Sequence, residues 1–281
     1  MSRTVRVAIL DMYNNTPNRG MGNIIQLLEQ VAQNYPLEFQ VFETRYKTEV
    51  PDLSYDIYIS SGGPGDPYDG LNTPWENQYF ALLDKLWEYN ECAPAPDRKH
   101  AFFICHSFQL MVRHFKLGEV TRRRSHSFGV FPVHKTAAGK AEPLFEGLAD
   151  PFYAADFRHW QVVRPDYNQL QALGGHILAL EKERPHVPLE RAVMAIRLSP
   201  EFIGTQFHPE ADPENMRIHF TAPEQQEKII REHGQEKYQK ILHRLTHDSY
   251  LLPTYRKVLP TFLHQAIQQL TAEEDSQRKV A

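Results

Sequence analysis

The N-terminal half of the chain alternates short apolar segments with longer amphipathic ones, and this pattern constrains the fold most. Residues 5–10 predict a buried strand, residues 23–34 a helix with one apolar face, and residues 37–42 a second strand. Strand, helix and strand in this order are typical of parallel sheets with right-handed crossovers. The sequence therefore predicts an α/β fold with a mostly parallel central sheet flanked by helices.

Similar segments recur along the rest of the chain. Strands are predicted at residues 56–60, 101–104, 129–133, 176–181, 192–197 and 203–207, and helices at residues 75–89 and 108–115. From residue 214 the pattern becomes helical and stays so. We therefore expect an α/β domain over residues 1–213 and a C-terminal helical extension over residues 214–281 that packs on it.

The composition is that of an ordinary globular protein and excludes several functional classes. The formal net charge of −4 argues against nucleic-acid binding, which needs a basic surplus. Two cysteines, Cys92 and Cys105, form no disulfide framework, so a reducing cytoplasm is the expected location. The sequence has no apolar run of the roughly 20 residues that span a bilayer, and its N-terminus lacks the apolar core of a secretory signal. We expect a soluble protein whose partners include neither a membrane nor a nucleic acid.

Cys105 lies between a predicted strand, residues 101–104, and the helix that follows it. A tight turn from a strand into a helix is the setting of a nucleophile elbow, which lifts a side chain above the sheet. The positive end of a helix favours a thiolate over a thiol. The alternative is a buried structural cysteine, which is the commoner role of a lone cysteine.

His208 and Glu210 follow the predicted strand at residues 203–207. A histidine in this place can take the thiol proton and later protonate a leaving group. A carboxylate two residues further on can orient the imidazole, as the third member of a catalytic triad does. The alternative is a loop histidine beside a surface glutamate.

Three glycines surround Pro64 in the segment that follows the predicted strand at residues 56–60. Glycines free backbone N–H groups to point at a ligand, as an oxyanion hole requires. The alternative is an ordinary turn after a strand.

These three segments, in this order, resemble the class I glutamine amidotransferase family. The shared features are Gly-Pro-Gly-Asp-Pro at residues 63–67, a strand-to-helix cysteine followed by a glutamine, and Gln-Phe-His-Pro-Glu at residues 206–210. The resemblance implies hydrolysis of the glutamine side-chain amide through a cysteine thioester, with ammonia released to a separate acceptor or synthetase subunit. It implies no cofactor and no metal.

The resemblance also implies a role for individual residues. Cys105 is the implied nucleophile, His208 the base and Glu210 the residue that orients it. The backbone N–H groups of Gly63 and His106 are the implied oxyanion hole. The substrate, glutamine or another γ-acyl small molecule, is then expected to lie near the residues Gln109, His159, Trp160 and Gln161.

The sequence departs from the family pattern at three positions. Phe103 and Ser107 stand two residues before and after Cys105, where the family has glycines, and Trp160 replaces a glycine that lets the backbone approach the substrate. An indole that points into the site would exclude free glutamine. The elbow is closer to that of the homoserine O-succinyl- and O-acetyltransferases, which the sequence also resembles at residues 208–212.

Acyl transfer of the homoserine type through the same three residues is therefore the first alternative function. A non-catalytic binding protein on the same fold is the second. The C-terminal extension is expected to be helices packed on the α/β domain. The alternatives are a cap over the active site or a homodimer surface.

Several other features are expected to have no role in the chemistry. The basic run at residues 122–124 predicts a solvated loop. His243 and His247 are spaced as a helical metal pair, but such a pair without further ligands is expected to face solvent. Cys92 is expected in a polar loop, without a base nearby.

Overall fold

A computed structural model describes residues 3–186 and 188–278 of the chain, with side chains to residue 272. Within these ranges, nine strands form a single sheet in the order β2-β1-β3-β4-β9-β8-β6-β5-β7. The strands are β1 (Val5–Leu10), β2 (Leu37–Phe42), β3 (Ile57–Ser60), β4 (His100–Ile104), β5 (Glu119–Lys135), β6 (Phe152–Val163), β7 (His176–Glu181), β8 (Val193–Arg197) and β9 (Phe202–Thr205).

Helices cover both faces of this sheet. They are α1 (Gly20–Ala32), α2 (Thr44–Lys47), α3 (Pro74–Cys92), α4 (His106–His114), α5 (Ala137–Ala141), α6 (Tyr167–Ala172), α7 (Pro213–Thr221), α8 (Pro223–His233), α9 (Gln235–Thr246) and α10 (Leu251–Arg278), with short 3₁₀ turns at Ala95–Asp97 and Pro143–Phe145. The predicted α/β class, with a central sheet flanked by helices, is confirmed. Among the described helices, none is both long and apolar enough to cross a membrane.

The sheet has two halves of different character. Strands β2, β1, β3, β4 and β9 run parallel, and β3, β4 and β9 are buried at every residue. Burial on both faces explains why these strands read as continuous apolar runs rather than as alternating patterns. The strands of the other half, β8, β6, β5 and β7, are antiparallel. Because β7 pairs with both β5 and β8, these four strands form a closed ring of pairings.

The loop expected at residues 122–124 is wrong, because these residues belong to β5, but Arg122 and Arg124 are exposed to solvent as expected. The side chain of Arg123 is only 7% exposed; its guanidinium donates to Gln161 Oε1 at 2.8 Å and to Glu181 Oε1 at 2.9 Å. The strand predicted at residues 129–133 is therefore much longer, and its partner β6 was not predicted. Because this strand contains a buried, ion-paired arginine, its sequence lacks the alternation of apolar and polar residues from which a strand is predicted.

The last helix, α10, packs into the main core rather than beside it. Val258, Leu259 and Phe262 are buried in the same cluster as apolar residues of β1, β3 and β4. Helices α7, α8 and α9 form a smaller cluster against β5 and β6. The boundary proposed at residue 213 stays a prediction. Cys92 is the last residue of α3 and is exposed, so its expected place in a loop is wrong.

Candidate active site

Cys105 stands at the point where β4 ends and α4 begins. Its backbone has φ 50° and ψ −94°, an unusual conformation for a residue with a side chain. The turn is held on both sides: Cys105 N donates to Thr205 O at 2.7 Å, and Gln109 N donates to Cys105 O at 3.1 Å. Strain at one residue, fixed by its neighbours, is the geometry of a nucleophile elbow.

The structure accommodates both departures from the family elbow. Ser107 Oγ accepts a hydrogen bond from Ile104 N at 2.8 Å and donates one to Ser60 O at 2.7 Å, so the hydroxyl is satisfied within the turn. Phe103 faces Gly204 across the β4–β9 pair. A Cβ at Gly204 would lie 2.6 Å from the Phe108 ring, so the glycine leaves the space that the aromatic side chains fill.

His208 and Glu210 follow β9, the neighbour of β4 in the sheet. His208 Nδ1 lies 2.7 Å from Glu210 Oε1, and the Glu210 side chain is 2% exposed. The backbone N–H of His208 donates to Ala155 O at 2.9 Å, which anchors the loop on β6. Because a carboxylate only accepts hydrogen bonds, this contact assigns a proton to Nδ1 and leaves Nε2 for a second partner.

Charge decides the protonation of His208. Burial opposes a charge on its imidazole, but the negative charge of Glu210, the thiolate form of Cys105 and hydrogen bonds to both hold its pKa well above the usual value. An imidazolium beside a nucleophilic sulfur can protonate a leaving group and take a proton back in the next step. The structure thus brings together the three residues that the sequence singles out.

The glycine loop approaches the same point from β3. A Cβ at Gly62 would lie 2.8 Å from His208 Cε1, and a Cβ at Gly63 would lie 2.3 Å from Met12 O. Side chains at these positions would therefore force the loop away from the site. The role of the Gly63 and His106 backbone N–H groups as an oxyanion hole stays a prediction.

His106 is not suited to act as the base. Burial, followed by the charges of Arg45 and Arg113, lowers the pKa of its imidazole to about 3. Its Nε2 is buried and has no hydrogen-bond partner among the described residues. The side chain is therefore neutral at physiological pH and packs inside the protein, while its backbone begins α4.

The side chain of Gln109 reaches the Cys105 sulfur through a second glutamine. Its Nε2 donates to Gln206 Oε1 at 3.1 Å, and Gln206 Nε2 donates to Cys105 Sγ at 3.6 Å. Sequence reasoning assigned no role to Gln206, although it opens the segment that carries His208. Because its side-chain amide contacts the sulfur of Cys105, Gln206 is an additional site residue.

The other three predicted substrate residues are directed to different partners. Trp160 packs on the ring of Tyr68, with centroids 5.6 Å apart. Gln161 accepts its hydrogen bond from Arg123, and the exposed ring of His159 stacks on His126 at 3.9 Å. Their role in binding glutamine stays a prediction, and the indole packs on the glycine-loop segment.

Tyr13 is a site residue that sequence reasoning missed. A Cβ at Gly62 would lie 3.2 Å from its hydroxyl, which places the phenol beside His208. Burial, then the charges of Glu210, Cys105 and Asp11, raise its pKa well above the usual value, so the phenol stays protonated. Its place in the loop after β1, at the carboxyl edge of the sheet, is the signal that could have found it.

A cavity of about 590 Å³ opens beside His208 and Glu210, which contribute to its wall. Phe128 and Phe157 line it from the β5–β6 hairpin, and Phe220 lines it from α7. The cavity therefore lies between the α/β core and the C-terminal helices.

A metal centre has no support in the part of the chain that the structure describes, where no three His, Cys, Asp or Glu side chains are grouped to hold an ion. His243 and His247 do lie together, with ring centroids 4.6 Å apart. Two rings without a third ligand make no metal site of the usual kind.

Comparisons with known proteins identify the family and the fold of the chain. The family profile described as glutamine amidotransferase class-I matches residues 21–227. Among curated proteins, the chain is similar to a homoserine O-acetyltransferase from Catenibacterium mitsuokai. The two are 24% identical over 232 residues, which make up 82% of this chain and 68% of that one.

Several solved structures share the fold. A glutamine amidotransferase from Thermotoga maritima has a TM-score of 0.67 and 15% identity, covering 94% of this chain and 98% of that one. Another from Methylobacillus flagellatus has a TM-score of 0.58 and 15% identity, covering 97% and 94%. The glutaminase domain of Trypanosoma brucei CTPS with bound acivicin has a TM-score of 0.52 and 16% identity, covering 73% and 86%.

Proposed function

The chain belongs to the class I glutamine amidotransferase family, and on that premise we propose that it hydrolyses the side-chain amide of glutamine through a thioester on Cys105. One observation carries the proposal. Cys105 occupies a strained elbow at a helix N-terminus, beside a His208 that Glu210 holds at 2.7 Å and keeps protonated. This arrangement combines an activated thiolate with a proton donor for the leaving group.

The reaction has two steps. Cys105 Sγ attacks the amide carbon, the C–N bond breaks, and His208 protonates the departing nitrogen, which leaves as ammonia. Water then attacks the thioester, the C–S bond breaks, and the water proton returns to His208. The backbone N–H groups of Gly63 and His106 are proposed to stabilise the oxyanion in both steps.

The use of the ammonia is also part of the proposal. Because the structures that share this fold include the glutaminase domain of a CTPS, we propose that a synthetase consumes the ammonia. A free thiol nucleophile requires reducing conditions, and both cysteines of the protein are unpaired, which supports a cytoplasmic location.

The test is the identity of the covalent adduct. Wild-type protein is incubated with glutamine or a glutamine-like electrophile, ammonia release is measured, and the modified cysteine is located by mass spectrometry. We expect a glutamyl adduct on Cys105, an unmodified Cys92 and no ammonia release by Cys105→Ala. Equal labelling of both cysteines would contradict the proposal and favour a non-catalytic binding protein.

Acyl transfer of the homoserine type is the second candidate. It is favoured by Phe103 and Ser107, which the elbow accommodates, and by the similarity to a homoserine O-acetyltransferase. The same mass spectrometry separates the two functions. An acetyl or succinyl group on Cys105, with acyl-homoserine as product and without glutamine turnover, would replace the first proposal by the second.

A further inference from the structure

The cavity beside His208 lies where the leaving group of an amide substrate would be. In amide cleavage, the general acid stands next to the departing nitrogen, and the acyl part lies on the opposite side of the nucleophile. His208 and Glu210 belong to the cavity wall, whereas Gln109, Trp160 and Gln161, the residues expected near the glutamyl part, do not. Gly63, whose N–H group is proposed to bind the carbonyl oxygen, also lines the cavity, so the cavity extends from the glycine loop to His208, where a departing amine would be protonated.

Its size does not suit ammonia. The cavity measures about 590 Å³, while a molecule the size of water takes about 30 Å³ of liquid volume. Sites for small organic ligands have volumes of about 300–1,000 Å³. The space therefore suits an amine with an organic substituent.

The wall selects for an apolar substituent. Phe128 and Phe220 stack with ring centroids 5.7 Å apart, and Phe157 packs against both at 5.1 and 6.1 Å. Met216 extends this surface from the same helix as Phe220. Three aromatic rings and a thioether form the kind of surface that binds an aromatic or branched aliphatic group.

The wall is fixed by polar contacts between α1 and α7. Asp212 caps α7 by accepting a hydrogen bond from Asn215 N at 2.7 Å. Asn215 Nδ2 donates to Asn23 Oδ1 at 3.1 Å, and Asn23 itself lines the cavity. These contacts hold the aromatic wall against the loop that carries Arg19.

Arg19 supplies a positive charge at the rim. Its guanidinium makes no ion pair or hydrogen bond with another described residue, and α1 begins next to it at Gly20. Burial, then the charges of Arg19 and Lys228, lower the pKa of His219, so this cavity histidine is neutral. An unpaired arginine beside a helix N-terminus attracts a carboxylate.

Glu210 is a second charged residue in the cavity wall. Its Oε1 binds His208, while Oε2 is buried and has no hydrogen-bond partner among the described residues. Glu210 is 1% exposed and lines the cavity. Because this oxygen is inaccessible to solvent, Glu210 contributes negative charge beside His208 rather than a contact for a bound molecule.

From these observations we infer that the enzyme acts on γ-glutamyl amides of an amine that carries an apolar group and a carboxylate, and that this amine occupies the cavity beside His208. The inference rests on the proposed function and identifies the substrate class of the same site. An apolar amino acid has the required chemistry, either as the leaving group of a γ-glutamyl amide or as an acceptor.

The same two residues, Cys105 and His208, can catalyse both cleavage of a γ-glutamyl amide and transfer of the glutamyl group to an amine. In cleavage, Cys105 Sγ bonds to the amide carbon, the C–N bond breaks, and His208 donates its proton to the amine as it leaves. Water then breaks the C–S bond and returns a proton to His208. In transfer, a second amine replaces water, a C–N bond forms as the C–S bond breaks, and the amine proton goes to His208.

The experiment compares four substrates at matched concentration: glutamine, γ-glutamylglycine, γ-glutamyl-phenylalanine and γ-glutamyl-phenethylamide, which lacks the carboxylate. Release of each amine is followed by chromatography, and kcat/KM is obtained for each. We expect kcat/KM for γ-glutamyl-phenylalanine to exceed that for glutamine and for γ-glutamylglycine by about tenfold or more. A separate reaction with glutamine and free phenylalanine tests transfer by the appearance of γ-glutamyl-phenylalanine.

Variants locate the binding site of the amine. Arg19→Gln is expected to lower kcat/KM for γ-glutamyl-phenylalanine about three- to tenfold and to leave γ-glutamyl-phenethylamide unchanged, since only the former has a carboxylate. Phe220→Ala should lower the preference for the phenylalanine amide over the glycine amide. Ile218→Ala, on the same helix but half exposed, is the matched control and should change neither rate.

The outcomes separate the two proposals. Turnover of glutamine without preference for γ-glutamyl-phenylalanine, or an equal effect of Arg19→Gln on both phenyl substrates, would overturn this inference and leave the proposed function standing. Absence of any glutamyl adduct on Cys105 would overturn the proposed function itself. Cleavage alone supports the amine as leaving group, and product formation from free phenylalanine supports it as acceptor.

Discussion

The parallel half of the sheet and the C-terminal helices α7 to α9 contribute to one site in different ways. The parallel half positions Cys105, His208 and the glycine loop from strands that are buried at every residue, so these groups have little freedom. Helices α7 to α9 contribute an aromatic wall from a small cluster that packs mainly on the β5–β6 hairpin. The reacting groups thus lie on the parallel half of the sheet. The aromatic surface proposed to select the ligand lies on helices α7 to α9, which have a smaller apolar core.

Helix α10 packs with the parallel half of the sheet, although in the sequence it follows helices α7 to α9. Its apolar residues fill the same cluster as β1, β3 and β4, and Phe262 packs on Phe102 with ring centroids 5.0 Å apart. Position along the chain therefore does not decide which region a helix stabilises.

Removing the base should have the largest effect on activity. His208→Ala is expected to lower kcat about 10⁴-fold or more, nearly as much as Cys105→Ala, because residues of one catalytic unit act non-additively. Steady-state glutaminase rates measure this, and circular dichroism checks the fold. A variant with wild-type rates would exclude His208 as the base.

Truncation in α10 should affect stability rather than chemistry. Phe262→Ala is expected to lower the free energy of unfolding by about 3–5 kcal/mol, since the side chain is fully enclosed. Ile218→Ala, on the exposed face of α7, should change it by less than about 0.5 kcal/mol. Urea unfolding of both variants measures the difference, and equal losses would refute the distinction between α10 and α7.

Glu210→Gln should move the alkaline limb of the pH profile. Burial opposes a charge on His208, and the charge of Glu210 is the main contribution that raises its pKa. Without that charge, His208 loses its proton at a lower pH, and the ion pair with Cys105 is lost earlier as pH rises. We expect the alkaline limb of kcat/KM to move to lower pH. An unchanged profile would mean that Glu210 only fills space.

Acid should weaken the packing between the β5–β6 hairpin and α8. His126 stacks on His159 and faces His233 and Lys237; burial, then the charges of those three groups, lower its pKa to about 4. Its ordinary value is about 6.5, so between these pH values the unfolded chain binds a proton that the folded chain does not. Stability is therefore lost as pH falls from about 6.5 to about 4.

The measurement is urea unfolding at pH 7 and pH 5. His126→Gln should lose less stability on acidification than the wild type, while substitution of the exposed His176 by Gln should behave as the wild type does. An identical loss in all three proteins would contradict a role for His126.

Trp160→Gly should have the smallest effect on glutamine turnover. The indole packs on Tyr68, whose hydroxyl donates to Val120 O at 2.9 Å, so its removal opens no space at Cys105. We expect kcat/KM for glutamine to change less than about twofold. An improvement of about tenfold would mean that the indole occludes the site in solution.

Local patterns along the chain predicted the parallel half well. Strands β1 and β2 have the predicted bounds, and β3, β4 and β9 differ from prediction by one or two residues. Strand β6 was not predicted, because its burial follows no period of two. Asp156 and Arg158 are buried in this strand and form an ion pair with an N–O distance of 2.8 Å. Charged residues in the sequence of a buried strand make it resemble an exposed segment.

Local patterns along the chain are sufficient to identify the candidate chemistry: a cysteine before a helix, and a histidine and a glutamate after a strand, all at carboxyl ends of strands that local apolar runs predict. The surroundings of these residues depend on how the whole chain folds. Tyr13, Gln206 and Phe220 come from segments far apart in the chain, and no local periodicity encodes which of them meet. Packing of the C-terminal helices on the β5–β6 hairpin creates the cavity, because a wall shared by distant segments exists only once the chain has folded.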